Sequence, residues 1–260
     1  MSARPSEFGI NPSFIDFIRA TRPEALPQMP GHTQGDIGIT HGTTVLGLKF
    51  PGGIVMAGDR RATEGYTIAD DRMEKVFEAD DLSAIAISGA AGQAVEMVRL
   101  FRLELEHYEK ITGERLSLEG KSNRLAQFIR ENLPMAFQGL VVVPLFGGYD
   151  PRREEGRLFR YDATGGRWEE QSFESTGSGG RPAKGTLKKG WRPDLQKDDA
   201  IRLAAEALYD AAQEDVGTGG PSISKGIFPT VLVIAADGVE KLSDEALRPV
   251  VSSVIEGGNG

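Results

Sequence analysis

A glycine followed by a threonine, Gly42-Thr43, stands where a proline-rich stretch gives way to the apolar run Thr44-Val45-Leu46-Gly47-Leu48-Lys49-Phe50. A threonine hydroxyl is a weak nucleophile near neutral pH and needs an adjacent base. If the chain is cut between these two residues, Thr43 carries both groups. Its hydroxyl is then joined by a free α-amine, whose ordinary pKa of about 7.7–8.0 suits it to take up a proton near neutrality. In the uncut chain the same nitrogen is an amide and cannot accept that proton. The pair is therefore a self-contained nucleophile and base that stays inert until one peptide bond breaks.

Three more positions have useful chemistry. Asp59 lies in Met56-Ala57-Gly58-Asp59-Arg60-Arg61, at the end of an expected strand, and Lys75 lies in Arg72-Met73-Glu74-Lys75-Val76-Phe77. A lysine ammonium beside the threonine amine disfavours further positive charge there and lowers the amine's pKa. Gly89, in Ser88-Gly89-Ala90, sits between a buried strand and a long helix. A backbone N–H exposed at such a junction can donate to a developing oxyanion. Taken singly, each has a plainer explanation: an aspartate that forms a turn, a lysine that reaches to water, a glycine kept for its backbone freedom.

Composition removes the rival chemistries. The 260 residues contain no cysteine, which excludes disulfides, a thiolate nucleophile and thiolate metal sites. Of three histidines, His32 and His41 precede Thr43, which leaves His107 in a charged helical stretch. A Ser–His–Asp triad or a multi-histidine metal centre is thereby all but ruled out, and no cofactor is expected. A net charge of −8 argues against a nucleic-acid partner. The one dense basic stretch, Arg181 to Arg192, is broken by Pro182, Gly185 and Gly190 and is expected to be a solvated loop. No apolar run approaches the ~20 residues that span a bilayer, and the N-terminus lacks the apolar core of a secretory signal, so a cytoplasmic location is expected.

The elements that must position these residues follow from periodicity. Residues 1–42 hold five of the fourteen prolines and no sustained apolar period. Composition alone fits equally a leader that is removed and a disordered tail that is retained. Strands are expected at Val45–Phe50 and Gly53–Ala57 around a Pro51-Gly52 turn, at Leu82–Ser88, at 139–149, 157–162 and 167–173, and at Thr230–Ala236. Helices are expected from Ala90 to Lys110, with Ala94, Val98, Phe101, Leu105 and Tyr108 as one stripe, and from Leu118 to Leu133, with Leu125, Ile129 and Leu133 inward and Pro134 as the stop. Two more are expected at 197–213 and 243–255. Neither alternating βαβ units nor an internal repeat is present, which predicts an α+β layered sandwich of stacked sheets flanked by helices.

Together these motifs resemble the catalytic β subunits of the proteasome core particle. The resemblance rests on Thr43-Thr44-Val45 after a glycine, Gly58-Asp59-Arg60-Arg61-Ala62-Thr63, Lys75, and Ser88-Gly89-Ala90-Ala91-Gly92. It continues in Gly177-Ser178-Gly179-Gly180 and Asp215-Val216-Gly217-Thr218-Gly219-Gly220, while Gly219-Gly220-Pro221 and Gly226-Ile227-Phe228-Pro229-Thr230 look most like the actinobacterial branch. The resemblance implies a four-layer αββα sandwich, the Ntn-hydrolase fold, with 1–42 a propeptide removed autocatalytically and 43–260 the catalytic domain. Thr43 then matches the N-terminal nucleophile and Lys75 the lysine that lowers its pKa. Asp59 matches the carboxylate that orients this lysine, Gly89 the oxyanion donor, and Ser178, Asp215 and Thr218 the group near the threonine amine; the family often has serine where this chain has Thr218.

By the same resemblance Ala62, Met73, Phe77, Ile87, Ala91 and Val95 line the pocket for the side chain before the scissile bond, and the backbones of Thr63 and Ala91 hold substrate as an added strand. None of the six is charged, which predicts a preference for apolar side chains. The plainer reading makes these residues core. The implied assembly is a homo-heptameric β ring stacked on a second, capped by α-subunit rings and fed unfolded protein by an ATPase ring. Two alternatives stay open: a non-catalytic structural ring subunit, and another N-terminal-nucleophile hydrolase such as the simpler bacterial ATP-dependent protease ring. The first loses force because Thr43, Asp59 and Lys75 are all present; the second is usually a shorter chain.

Overall fold

The computed structural model describes residues 42–64 and 67–258. All of the proline-rich stretch except Gly42 lies outside these residues, as do His32 and His41. The described chain builds two five-stranded antiparallel sheets and a small hairpin. The first sheet has the order β10-β1-β2-β11-β12, from β1 (Thr44–Phe50), β2 (Gly53–Gly58), β10 (Phe173–Gly177), β11 (Thr230–Ala235) and β12 (Gly238–Lys241). The second has the order β5-β6-β7-β8-β9, from β5 (Val76–Asp80), β6 (Ser83–Gly89), β7 (Val142–Asp150), β8 (Glu155–Tyr161) and β9 (Arg167–Glu170). The hairpin pairs β3 (Ala62–Glu64) with β4 (Thr67–Asp70) and carries a register shift between Ala62 and Thr63.

Three apolar cores give four layers. Between the sheets, Val45, Ile54, Met56, Val76, Ala86, Leu145, Leu158 and Leu232 form an apolar seam. It closes tightly because β7 presents Gly147 to it, where a Cβ would stand 2.7 Å from Met56 Sδ. On the outer face of the second sheet, Ile85, Ile87, Phe146 and Phe159 pack against α1 (Ala91–Thr112) and α2 (Leu118–Glu131). On the outer face of the first, Leu46, Leu48, Val55, Val231 and Val233 pack against α4 (Gly180–Gly190), α5 (Lys197–Glu214) and α6 (Asp244–Gly258). Alternate residues of β1 and β2 thus face opposite cores, which is why these strands are buried almost throughout. The architecture is the expected α+β sandwich of antiparallel sheets flanked by helices.

Four local expectations need correction. The basic stretch after Arg181 is not a loop but most of α4, which buries Gly180, Ala183 and Leu187. Pro182 falls in its first turn, where the missing N–H has no helical partner to lose, and Lys188 and Lys189 occupy the last turn, where the helix dipole favours cations. The run 167–173 is not one strand. β9 pairs with β8 in one sheet and β10 with β1 in the other, so the chain changes sheets at Gln171-Ser172. Tyr108 is exposed although it shares the face of α1 that buries Leu105, and it opens onto a groove with Leu116 and Arg124. Leu133 is not the inward end of α2. It starts a separate short helix, α3 (Leu133–Ala136), with Pro134 in its first turn.

The second sheet's helical layer hinges on Phe101. It is fully buried and meets Phe128 and Phe146 edge-on at centroid distances of 6.0 and 5.9 Å. Phe101→Ala should lower stability by about 3–5 kcal/mol through lost contacts and the cavity left behind. The measurement is the shift in the urea midpoint of the full chain, and a shift under about 1 kcal/mol would contradict this packing.

Candidate active site

The site forms where strands of both sheets end at the seam. Thr43 precedes β1, and the pairing of Thr44 with Gly177 places Ser178 beside it: Thr43 N donates to Ser178 Oγ at 3.2 Å, and Ser178 N donates to Thr43 O at 2.9 Å. Asp59 follows β2, whose Gly58 pairs with Val45, and its N–H donates to Thr44 O at 3.0 Å. Lys75 comes from the other sheet, immediately before β5.

Asp59 and Lys75 form an ion pair at 2.7 Å with both side chains almost wholly out of water. Every hydrogen-bonding position of the pair is used. Asp59 Oδ1 accepts from Lys75 Nζ and from Thr44 N at 2.8 Å, while Oδ2 accepts from Arg61 N at 2.9 Å and Gly219 N at 2.8 Å. Besides Asp59, Lys75 Nζ donates to Arg61 O and to Gly42 O, the latter at 3.4 Å. Burial pushes the Lys75 pKa below the ordinary lysine range, and the neighbouring Asp59 carboxylate opposes that shift without cancelling it.

A second network flanks the first. Asp215, at the end of α5, accepts from Ser178 Oγ at 2.5 Å and from Thr218 Oγ1 at 2.6 Å, both on Oδ2. Thr44 joins the two networks. Its N–H reaches Asp59, and its hydroxyl lies 2.6 Å from Thr218 Oγ1 and accepts from Gly179 N at 3.0 Å. Gly89 ends β6 with φ +108°, a conformation that suits glycine, and a Cβ there would stand 2.0 Å from Val141 O. The turn approaches Lys75 through Ile87, whose N–H donates to Lys75 O at 2.9 Å.

The expected residues thus converge in part. Thr43, Asp59, Lys75, Ser178, Asp215 and Thr218 form one connected hydrogen-bonded group, joined by Gly42 through its carbonyl. The six residues expected to line a specificity pocket differ in burial, and Phe77 packs against the cluster that holds Ile87. Ile87 belongs to the core under α1, Ala62 is buried, and Met73 and Ala91 are half-buried. Phe77 and Val95 share an open groove with the charged Arg99, Arg102 and Glu106. Three participants carry no sequence signal that singles them out: the Thr44 hydroxyl, the Arg61 carbonyl and the Gly219 N–H. Two of these are backbone groups, which leave no mark on residue type, and Thr44 reads as an ordinary strand residue.

Comparison with known proteins bears on this arrangement. A model of the proteasome subunit family, described as "Proteasome subunit", matches residues 39–223. The chain belongs to the proteasome subunit family. Among its relatives, "Proteasome subunit beta" of Acidimicrobium ferrooxidans is 54% identical over 237 residues, covering 90% of this chain and 87% of the relative. Proteins of the same name from Streptomyces griseus and Frankia alni are 53% and 50% identical, each covering 94% of this chain and 88% and 89% of the relative. Among the described residues no helix is long and apolar enough to cross a membrane.

A buried pair of this kind makes an asymmetric prediction. Asp59→Leu alone strands the Lys75 ammonium in the seam and should cost about 3–5 kcal/mol. Adding Lys75→Met should recover part of that loss, though the N–H groups of Thr44, Arg61 and Gly219 stay unpaired. Urea midpoints of the two variants test this, and a double variant less stable than Asp59→Leu would contradict it.

Proposed function

We propose that this chain is a threonine endopeptidase subunit of a proteasome core particle, made as an inactive precursor and activated by cleavage between Gly42 and Thr43. The observation that carries the reading is the buried Asp59–Lys75 pair, whose ammonium points at the Gly42 carbonyl, with Ser178 bonded to the adjoining Thr43 nitrogen. Family membership and the three β-subunit relatives support the same reading.

The chemistry follows from these positions. With the leader gone, the Thr43 hydroxyl adds to the carbonyl carbon of a substrate peptide bond while the Thr43 α-amine takes up its proton. The charged Lys75 beside them, held by Asp59, keeps the amine's pKa low enough for it to be neutral beforehand. The Gly89 N–H donates to the anionic oxygen of the tetrahedral intermediate. The C–N bond then breaks, the proton passes to the departing amine, and water hydrolyses the ester left on Thr43. Ser178, Asp215 and Thr218 orient the Thr43 nitrogen. The pocket of Ala62, Met73, Phe77, Ile87, Ala91 and Val95 takes apolar side chains, with substrate held along the backbones of Thr63 and Ala91. The assembly that fits this role is a heptameric β ring paired with another, between α rings and fed by an ATPase ring, in the cytoplasm.

Two measurements test the reading. Active particles should give Thr43 as the first residue on N-terminal sequencing, and Thr43→Ala should retain precursor mass and lose peptidase activity by at least about 10³-fold. An active Thr43→Ala variant, or active material beginning elsewhere, sinks the proposal; a peptide panel favouring acidic over apolar side chains would defeat the pocket alone. Asp59→Asn removes the neighbour that holds the Lys75 pKa up against burial, so that pKa falls further. Lys75 must be an ammonium in this mechanism, so the alkaline limb of peptide hydrolysis should move to lower pH, with activity at the optimum reduced about 10²-fold or more. A limb that stays in place or moves upward would contradict the role given to the charge.

A further inference from the structure

The precursor bond is held at more points than the mature reaction uses. On one side Thr43 N donates to Ser178 Oγ, and Lys75 Nζ donates to the Gly42 carbonyl. On the other side Gly42 N donates to Thr63 Oγ1 at 2.8 Å, with both residues buried. Thr63 lies at the register shift of the β3–β4 hairpin, where the distorted pairing sets the start of that hairpin apart from a regular ladder. The cradle is tight as well: a Cβ on Gly42 would stand 2.1 Å from the Gly217 Cα.

We infer that the Thr63 hydroxyl is a positioning residue for self-cleavage, holding the Gly42 peptide plane so that the Thr43 hydroxyl can reach its own preceding carbonyl. The inference rests on the self-cleavage proposed above and adds a side chain to it. Attack by a threonine on the carbonyl just before it closes a small ring through its own Cα and nitrogen, so the orientation of the Gly42 unit is decisive. In that step a bond forms between Thr43 Oγ and the Gly42 carbonyl carbon, and the bond from that carbon to Thr43 N breaks. The hydroxyl proton ends on the released amine, and water then cleaves the ester to a Gly42 carboxylate and a free Thr43 hydroxyl. Lys75 and Ser178 fix the carbonyl and the leaving nitrogen. Thr63 accepts from the Gly42 N–H at the remaining end. Its hydroxyl loses this partner once the leader departs, which separates this role from that of its backbone in holding substrate.

The test uses the full chain assembled with its α partner. Leader loss is followed by intact mass, and peptide hydrolysis is normalised to the number of processed Thr43 ends. Thr63→Val should slow leader loss about tenfold, and Thr63→Ser should restore it to within about threefold. Turnover per processed end should fall by a smaller factor than leader loss does. Leader loss at the unaltered rate in Thr63→Val would overturn the inference, and so would equal losses of processing and turnover per end. A second measurement does not depend on Thr63→Val assembling. In the uncleavable Thr43→Ala precursor the Gly42 amide should be protected from hydrogen exchange by at least about tenfold, and an unprotected amide there overturns the inference. Cleavage of the unaltered chain at some other bond would instead defeat the self-cleavage reading itself.

Discussion

The site is organised around the pairing of two charges, Asp59 and Lys75, in a place nearly devoid of water. Removing an ion from water costs several kcal/mol even after relaxation, and attraction between partners recovers that only when the remaining hydrogen-bonding positions are filled as well. Here they are. The carboxylate takes donors from Lys75, Thr44, Arg61 and Gly219, and the ammonium finds Asp59, Arg61 O and Gly42 O. Even so, burial prevails and leaves the lysine more willing to lose its proton than one in water. A fold that only needed stability would do as well with apolar residues of similar volume at these two positions. The pair makes sense as a device that keeps a positive charge beside the Thr43 backbone.

That device constrains the architecture. Asp59 directly follows a strand of one sheet and Lys75 directly precedes a strand of the other, so their 2.7 Å contact measures how accurately the two sheets stack. A slip of one residue along a strand moves a side chain by about 3.3 Å and turns it to the opposite face. Either change alone exceeds the contact. What prevents the slip is the seam between the sheets, in which Val45 and Met56 of the first sheet meet Val76, Ala86 and Leu145 of the second with no polar group among them. Gly147 lets the layers approach where any side chain would strike Met56 and Ile54. Side chains several residues away from Thr43 thus set the geometry of the charged pair.

Much of this was legible in the sequence, for identifiable reasons. Thr43, Asp59 and Lys75 stand in short motifs at strand boundaries; β1, β2 and β6 are near-continuous apolar runs, and α1 and α5 carry apolar residues at helical spacing. Features that depend on where the chain goes next were not. The residues 167–173 hold no proline or glycine to break a strand, and nothing local marks the point at which the chain leaves β9's sheet for β10's. The α4 stretch reads as a loop because its glycines and proline are turn formers in general; Ala183 and Leu187 meet the outer core beside α5. The proposed specificity pocket suffers from the same limit. Ile87 and Val95 are both apolar, yet one is core and the other lies in a groove shared with arginines, a difference fixed by packing partners.

Thr44 shows how closely the two networks are joined. Its N–H is bound by Asp59 and its hydroxyl by Thr218 and Gly179, so the residue after Thr43 is fixed from both sides. The Thr43 backbone is itself held at both ends by Ser178. The 215–219 segment contributes to both networks, through Asp215 to Ser178 and through the Gly219 N–H to Asp59. A change in any one of these loops therefore reaches Thr43 by two routes. A flexible chain end would search many orientations before meeting a carbonyl, whereas here the backbone on which the hydroxyl stands is already fixed before any substrate arrives. For the nucleophile proposed above, the free energy of that ordering would be met in folding and not on meeting substrate.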